Sequence, residues 1–327
     1  MNKLFVEASP HIRSSRTTQN VMLDVVIALC PALIAATIIF GIKALVLTVI
    51  CCASCVIFEL LFNMITKKER TISDMSAVVT GMLLSFNLPV DLPIYMAIIG
   101  CFIAIVIVKC LFGGIGQNFA NPAITARIAL MLSFTAAMTT WTAPLSAWDS
   151  TIDAATSATP LVAEKANLPS LMDMFLGVRA GCLGETCILA LLLGGIYLLA
   201  RGVIRFETPV CFIGTVAVLT LLKNGFDCTD MLYQLMGGGL ILGAFFMATD
   251  YSTTPITTKG KIIFAVGCGV ITFLIRQFAS LPEGVSFSIL VMNCLSPLID
   301  RVTVPKPLGA LVPEKPEKNK KEGEKNG

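Results

Sequence analysis

Long apolar runs follow one another along most of this chain, and most of them approach the length that a bilayer-spanning helix needs. Such a helix takes about 20 apolar residues, and the runs extend from Val21 to Asp300. Only 14% of the residues are charged and 55% are hydrophobic, whereas an average globular domain is about 25% charged. The chain is therefore predicted to be an all-α polytopic membrane protein.

The first run begins at Val21, and no clear cleavage site follows it, which favours a retained first span over a signal peptide. The other runs lie at approximately 44–64, 74–87, 94–112, 122–138, 183–200, 208–222, 232–249, 261–278 and 284–300. Counting the short run 74–87 gives about ten spans, and omitting it gives nine.

The distribution of Lys and Arg favours ten spans. With ten alternating crossings, most of the 24 Lys and Arg share the side of the N-terminus, and the other side holds only Lys43, Lys165, Arg179, Lys223 and Arg276. Cytoplasmic loops carry such an excess of positive charge. We therefore predict a cytoplasmic segment 1–20, a membrane domain 21–303 with an extracytoplasmic loop 139–182, and a Lys-rich cytoplasmic tail 304–327, predicted to be disordered, in a bacterial inner membrane.

Two polar, proline-containing breaks divide the spans into similar halves. The third span runs into Ser85-Phe86-Asn87-Leu88-Pro89, and the eighth runs into Ala248-Thr249-Asp250, with Pro255 shortly after. Five spans in each half would make the halves inverted repeats, an arrangement that builds midplane sites from broken helices. The alternative is that the similarity arises by chance, since any ten-helix protein is expected to show some similarity between its halves.

Ionisable residues inside apolar spans cost at least about 2.5 kcal/mol each and usually need a partner. Asp24, Glu59 and Arg127 are such residues. Pairing between helices or snorkelling at a helix end explains them most simply. The alternative is an ion or proton path, for which Asp24, Glu59 and Asp300 are the candidates.

A polar, glycine-rich loop at 113–123 separates the fourth and fifth spans. Its glycine spacing does not match a dinucleotide-binding fingerprint. It is either a plain loop or the polar lining for a bound ring, with Gly114, Gln117 and Asn121 as candidate contacts. Cys51, Cys52 and Cys55 lack a second spaced pair, and the chain has one His, so no metal ligand and no catalytic side chain is predicted.

The predicted extracytoplasmic loop contains Asp153-Ala154-Ala155-Thr156-Ser157-Ala158-Thr159, a stretch of small and hydroxyl-bearing residues. By composition these are turn and helix-capping residues. The stretch also matches the pattern D-[AG]-x-[ST]-[AGS]-A-T, the mark of threonines that carry FMN through a phosphoester bond. This bond is made by a flavin transferase that uses FAD.

From about residue 20 to residue 309 the chain resembles the family of the D subunits of Rnf ferredoxin:NAD⁺ oxidoreductases and, more distantly, the B subunits of sodium-pumping NADH:quinone reductases. The resemblance rests on the 113–123 loop, Ser157 to Leu161, Phe246 to Asp250, and Pro297 to Asp300. The short N-terminus and the length of 327 residues favour the Rnf type.

The resemblance implies a redox subunit that is not catalytic alone and serves a complex coupling electron flow from ferredoxin to NAD⁺ with export of Na⁺ or H⁺. It implies covalent FMN on Thr159, with Asp153, Ser157 and Ala158 completing the motif, and a second, non-covalent riboflavin. The implied partners are the A, B, C, E and G subunits of Rnf, the flavin transferase and membrane lipid, with no nucleic acid. It also implies a fold like that of urea transporters.

Two further hypotheses remain open at this point. A solute channel or transporter could share a fold with five helices in each inverted repeat. A structural membrane subunit could retain the motif as a vestige.

Overall fold

The computed structural model describes residues 16–67, 72–144, 169–279 and 283–305, and every regular element within these ranges is helical. This confirms the predicted all-α class. In chain order the helices are α1 (Thr18–Phe40), α2 (Ile42–Thr66), α3 (Ser76–Phe86), α4 (Ile94–Cys110), α5 (Pro122–Ser133), α6 (Thr135–Met138), α7 (Leu171–Leu176), α8 (Ile188–Ala200), α9 (Glu207–Lys223), α10 (Cys228–Met236), α11 (Leu240–Met247), α12 (Thr258–Phe278) and α13 (Val285–Thr303).

The helices differ in length more than the apolar runs predict. Among the described residues, α1, α2, α12 and α13 are each long and apolar enough to cross a membrane. Together, α10 and α11 would form a fifth span, bent by 66° at their break. Four further apolar helices, α3, α4, α5 and α8, are shorter. Within the described ranges, four or five helices therefore reach full spanning length, against the ten spans predicted, and shorter helices occupy the other predicted runs.

Local sequence signals set where the long helices begin and end. The Thr17 hydroxyl accepts a hydrogen bond from the backbone N–H of Asn20 and caps α1. Gly41 separates α1 from α2 with φ 78°, a conformation that glycine adopts at little cost. Thr257 caps α12 by accepting from the N–H of Gly260 at 3.0 Å. Side-chain caps of this kind satisfy backbone donors that a helix leaves unpaired at its start.

Three short helices end or begin inside the bundle, close to Met247 at the end of α11. Asn87 follows α3, and its side-chain amide lies 3.7 Å from the Met247 sulfur. Asn121 caps the start of α5, with Pro122 at the first helical position, and its amide donates to the Met247 carbonyl at 3.4 Å. The Asn87 and Asn121 side chains therefore supply hydrogen bonds at helix ends that lie inside the bundle, where backbone groups would otherwise be unpaired.

The helices pack closely where glycine removes a side chain. α2 packs on α3, α1 on α8, and α13 on both α5 and α12. A methyl group added to Gly81 on α3 would lie 2.7 Å from the Cα of Cys52 on α2. The outer faces are apolar, with Ile34 and Ile38 each 61% exposed. A close-packed interior under an apolar surface is what a membrane environment demands.

Hydrogen bonds between connecting segments place these segments at two ends of the helix bundle. The two groups are the same as those that the distribution of Lys and Arg predicts. At one end, Arg16 donates to the Arg201 carbonyl at 2.8 Å, and Arg205 donates to Thr258 at 3.3 Å. These segments are the ones predicted to be cytoplasmic, and this end is called the basic end below.

At the other end, Asp91 accepts from Lys43 at 2.8 Å and from the Thr142 hydroxyl at 2.6 Å. Tyr233 donates to the Pro169 carbonyl at 2.8 Å at the same end. Burial raises the pKa of Asp91, but the bonds from Lys43 and Thr142 outweigh it and hold that pKa below its usual value. The side assigned to each end, like the inverted repeat, stays a prediction.

Candidate functional site

A cavity, called the inner cavity, lies between helices of the two sequence halves. About 800 Å³ of space, part of it open to the surroundings, is lined by Ser76 and Thr80 of α3, Lys109 of α4, and Leu198 of α8, among others. Asn118 and Asn121 line it from the 113–123 loop, and Asp250 lines it from the turn after α11. The walls are mainly apolar with a few polar groups, as in sites for small molecules.

A second, wider cavity, called the vestibule, adjoins the first and shares Asn118 and Asp250 with it. It covers about 990 Å³, and its lining adds Thr254, Ser296 and Asp300. Asp300 accepts a hydrogen bond from the backbone N–H of Ile256 at 3.1 Å. The residues Ile256 and Asp300 belong to segments predicted to be cytoplasmic, so the vestibule lies towards the basic end.

Two buried polar atoms that belong to residues of the cavity linings have no hydrogen-bond partner within the described part of the chain. They are the Asn118 side-chain oxygen and the Ser296 hydroxyl oxygen. An unmatched buried polar group costs about 1–3 kcal/mol. Both residues belong to the cavity linings, so a rotation of either side chain would bring its free oxygen to a bound molecule or to water.

Hydrogen-bonded asparagines, Asn121 and Asn293, form a floor between the inner cavity and the opposite end of the bundle. With its amide oriented to satisfy both neighbours, Asn293 accepts from the Asn121 N–H at 3.1 Å and donates to the Thr253 carbonyl at 3.2 Å. Asn293 lies in the middle of α13, and Asn121 begins α5. The two sequence halves therefore meet through hydrogen bonds as well as through packing.

Beyond this floor is a buried charge cluster of three cations and two anions, Arg127, Arg179, Glu185, Arg276 and Glu283. Arg127 donates to the Asn87 side-chain oxygen at 2.6 Å and to the Ser286 hydroxyl at 3.2 Å, and it forms an ion pair with Glu283. The sequence predicts that Arg127 needs a partner, and the structure provides one. The Glu283 carboxylate also accepts from the N–H of Gly239 at 2.8 Å.

The remaining members of the charge cluster bond mainly to the backbone. Arg179 donates to the Glu185 carbonyl, and Arg276 donates to the carbonyls of Gln234 and Gly237. These segments lie before α8 and at the bend between α10 and α11. The cluster ties them to α5, so that it closes the bundle on the side opposite the vestibule.

The three ion-path candidates lie in different surroundings. Asp24 accepts from Tyr197 at 2.9 Å and pairs with Arg201 at 3.2 Å. Glu59 pairs with Lys109 at 2.9 Å, and both side chains are almost fully buried. Asp300 is the one of the three that lines an open cavity.

The structure places Asn121 on the inner cavity wall, together with Ile115, Gly116 and Asn118 of the same loop. Gly114 and Gln117 are in the adjoining turn, where the Gln117 N–H donates to the Gly114 carbonyl at 3.3 Å. Neither lines the inner cavity or the vestibule, so their suggested role in binding stays a prediction.

The motif residues Asp153, Ser157, Ala158 and Thr159 lie outside the described residues. The flavin attachment therefore stays a prediction from the sequence.

Sequence reasoning missed two polar residues of the inner cavity, Lys109 and Ser76, and noted Asp250 only as part of the break after the eighth span. In the sequence, Lys109 serves only as a marker of topology. The available signal was a lysine at the end of an apolar run, followed closely by the polar 113–123 loop. Among the described residues, no group of three or more His, Cys, Asp or Glu side chains could hold a metal ion.

A family model described as NQR2, RnfD, RnfE matches residues 5–309. The chain belongs to this family. This finding confirms the resemblance inferred from the 113–123 loop and from the Phe246 to Asp250 and Pro297 to Asp300 segments.

Curated relatives cover nearly the whole chain. The chain is 45% identical to the D subunit of the Na⁺-translocating ferredoxin:NAD⁺ oxidoreductase complex of Acetobacterium woodii, over 92% of this chain and 93% of that protein. It is 44% identical to the proton-translocating counterpart of Clostridium ljungdahlii, over 94% and 97%. It is 38% identical to the D subunit of the ion-translocating oxidoreductase complex of Stutzerimonas stutzeri, over 93% and 95%.

Proposed function

We propose that this chain is the D subunit of an ion-translocating ferredoxin:NAD⁺ oxidoreductase complex in a bacterial inner membrane. The observation that carries the proposal is the match to subunits of that name over more than nine-tenths of both chains. The A, B, C, E and G subunits of such a complex would be its partners. The basic end would face the cytoplasm and the 139–182 loop the outside.

The proposed electron carrier outside the membrane is FMN joined to Thr159 by a flavin transferase. A phosphoester to the threonine oxygen leaves the flavin ring unchanged, so the ring keeps its one- and two-electron chemistry. Asp153, Ser157 and Ala158 would be read by the transferase. Thr159 is then an attachment point and takes no part in electron transfer itself.

The proposed second carrier is riboflavin, bound without a covalent bond in the inner cavity. The residues present suit such a ring. The cavity walls are mainly apolar, as in sites for small molecules, and Asn118 brings to the wall a side-chain oxygen that has no hydrogen-bond partner among the described residues. Asn121 and Asp250 supply further polar contacts, and bound riboflavin would supply electron transfer at this depth.

The proposed entry for the transported ion is the vestibule, with Asp300 as the side chain that first meets it. Glu59 and Asp24 already hold cationic partners, which favours a structural role for them, whereas Asp300 faces open space. The named relatives differ, since one translocates Na⁺ and another protons. The proposal is therefore uptake of a monovalent cation from the cytoplasm.

Covalent flavin is tested most directly by fluorescence on a denaturing gel, after expression of the chain with a competent flavin transferase. The wild-type band should fluoresce, and Thr159→Ala should abolish the signal. Thr156→Ala is the matched control, because it removes a threonine from the same stretch, and it should retain at least part of the signal. Fluorescence that persists in Thr159→Ala would contradict the assignment.

Absence of fluorescence from the wild-type chain would instead favour a solute channel or a structural subunit with a vestigial motif.

A further inference from the structure

Lys109 is a buried lysine whose amino group is held by two oxygen-bearing side chains. Its Nζ donates to both carboxylate oxygens of Glu59, at 3.0 and 2.9 Å, and to the Ser76 hydroxyl at 2.6 Å. The Lys109 and Glu59 side chains are 3% and 2% exposed. Burying such a pair costs several kcal/mol per ion before the attraction between the two charges is counted. The pair is therefore costly if its role is only to hold helices together.

A chain of hydrogen bonds leads from Lys109 towards the basic end. The Ser76 hydroxyl accepts from Lys109 and donates to the Asp74 carboxylate at 2.9 Å. Asp74 is half-buried in the turn before α3. Each link therefore runs in one direction, from ammonium to hydroxyl to carboxylate. Reversing the links would carry a proton from the Asp74 carboxyl group to a neutral Lys109.

The same lysine and serine also face the inner cavity. Both Lys109 and Ser76 belong to its lining, and Asp250 lies in the lining from the other half of the chain. The acidic groups linked to Lys109 by hydrogen bonds are thus Glu59 on α2 and, through Ser76, Asp74 before α3, and Asp250 lines the same cavity.

We propose that Lys109 supplies the proton that a redox group bound in the inner cavity takes up when it is reduced. With such a group bound, an N–H bond of the Lys109 ammonium would break and its proton would pass to the group, which would take its electrons from the reduced ferredoxin that the complex oxidises. A proton from the cytoplasm then restores Lys109 through Asp74 and Ser76, while Glu59 holds the amino group in place.

This inference rests on the proposed riboflavin, which is the bound group whose reduction would need a proton. A positioned proton donor contributes about 10²–10⁴-fold to the rate of such a step. Arginine at position 109 would keep the positive charge, but it cannot give up its proton in a protein. Lys109→Arg therefore separates proton supply from electrostatic attraction.

The experiment uses the whole purified complex reduced by ferredoxin, with the non-covalent flavin released and measured in parallel. For Lys109→Arg we expect bound riboflavin and assembled subunits, but at least tenfold slower flavin reduction and proton uptake in a single turnover. A pH-indicator dye follows the protons and flavin absorbance follows the electrons. The matched control is Lys43→Arg, in an exposed Lys–Asp pair at the other end of α2, which should reduce at the wild-type rate.

A second variant removes both charges of the buried pair, so that neither is left unpaired. Lys109→Met with Glu59→Gln should assemble and bind riboflavin, and its flavin reduction should depend less on pH than that of the wild-type complex. Covalent flavin fluorescence and co-purified subunits report whether either variant folds.

Wild-type reduction rates in Lys109→Arg, with riboflavin bound, would overturn the proposal and leave the pair as a purely structural one. A wild-type complex that releases no non-covalent flavin would overturn the proposed cofactor itself, and the proton donor with it.

Discussion

At the scale of single residues, Arg127 joins segments that lie far apart along the chain. It contacts Asn87 after α3, Cys182 before α8, Glu283 before α13 and Ser286 within α13. The guanidinium group suits this task because its five N–H donors are fixed in a planar fork. Truncating it would leave Glu283 buried without its cation.

We expect Arg127→Met to destabilise the protein by about 3–5 kcal/mol, because one partner of a buried pair is lost. Combining it with Glu283→Gln should cost less than the sum of the two single variants, since the double variant leaves no charge of the pair unmatched. Thermal unfolding in detergent, followed with a thiol-reactive dye, measures both effects. Additive losses would show that Arg127 and Glu283 do not act as a pair.

Residue identity predicted which side chains need partners but not which partners they find. Asp24, Glu59 and Arg127 stand out because each interrupts an apolar run, and all three have oppositely charged partners in the structure. Those partners, Arg201, Lys109 and Glu283, lie far away in sequence. Spacing along a helix carries no information about such contacts, so the sequence alone could not group Lys109 with the 113–123 loop around one cavity.

At the scale of elements, the close approach of α2 and α3 depends on a missing side chain on α3. A Cβ at Gly81 would meet backbone atoms of Cys51 and Cys52 at 2.7 to 3.0 Å. Backbone cannot move aside as a flexible side chain can. The α2–α3 contact therefore depends on glycine at this position.

Gly81→Ala should lower stability by about 1–3 kcal/mol, the usual cost of overpacking. Gly214→Ala on α9 is the matched control, because a Cβ there meets nothing within 4 Å, and it should be neutral or stabilising by about 0.5–1 kcal/mol. Melting curves of the two variants in the same detergent give the comparison. Similar melting temperatures would mean that α2 and α3 separate easily.

Periodicity and apolar length predicted where the helices are, but not how long each one is. The run 74–87 became α3, Ser76–Phe86, and the run 122–138 is divided between α5 and α6. In the sequence, Asn87 and Asn121 stand at the breaks. Hydropathy, however, does not show whether a helix starts at the membrane surface or inside the bundle. These interior ends bring the asparagines together beside Met247.

At the scale of the whole molecule, the two ends are built differently. The vestibule and inner cavity open towards the basic end, and the charge cluster fills the opposite side with ion pairs and hydrogen bonds. Asp300 lies in the vestibule lining, whereas Arg127 and Glu283 belong to the charge cluster on the opposite side.

If Asp300 takes up the transported ion, Asp300→Asn should slow ion transport several-fold more than it slows flavin reduction. The loss should be relieved at higher Na⁺ concentration if Na⁺ is the ion. Asp24→Asn is the comparison, because this carboxylate is bound by Arg201 and Tyr197. Proteoliposomes that report transport and flavin absorbance together provide the measurement. A transport defect in Asp24→Asn alone would place the path along α1.

The bonds at the end opposite the vestibule also hold described residues on either side of the motif segment. Thr142 is fixed to Asp91 and Pro169 to Tyr233, and Thr159 is ten residues before Pro169. Ten residues span at most about 36 Å. A flavin attached at Thr159, as proposed, would therefore have its attachment point within that distance of Pro169. A neighbouring protein that exchanges electrons with it would have to bring its own carrier to this end of the bundle, so the anchored segment ends would decide where a partner can dock.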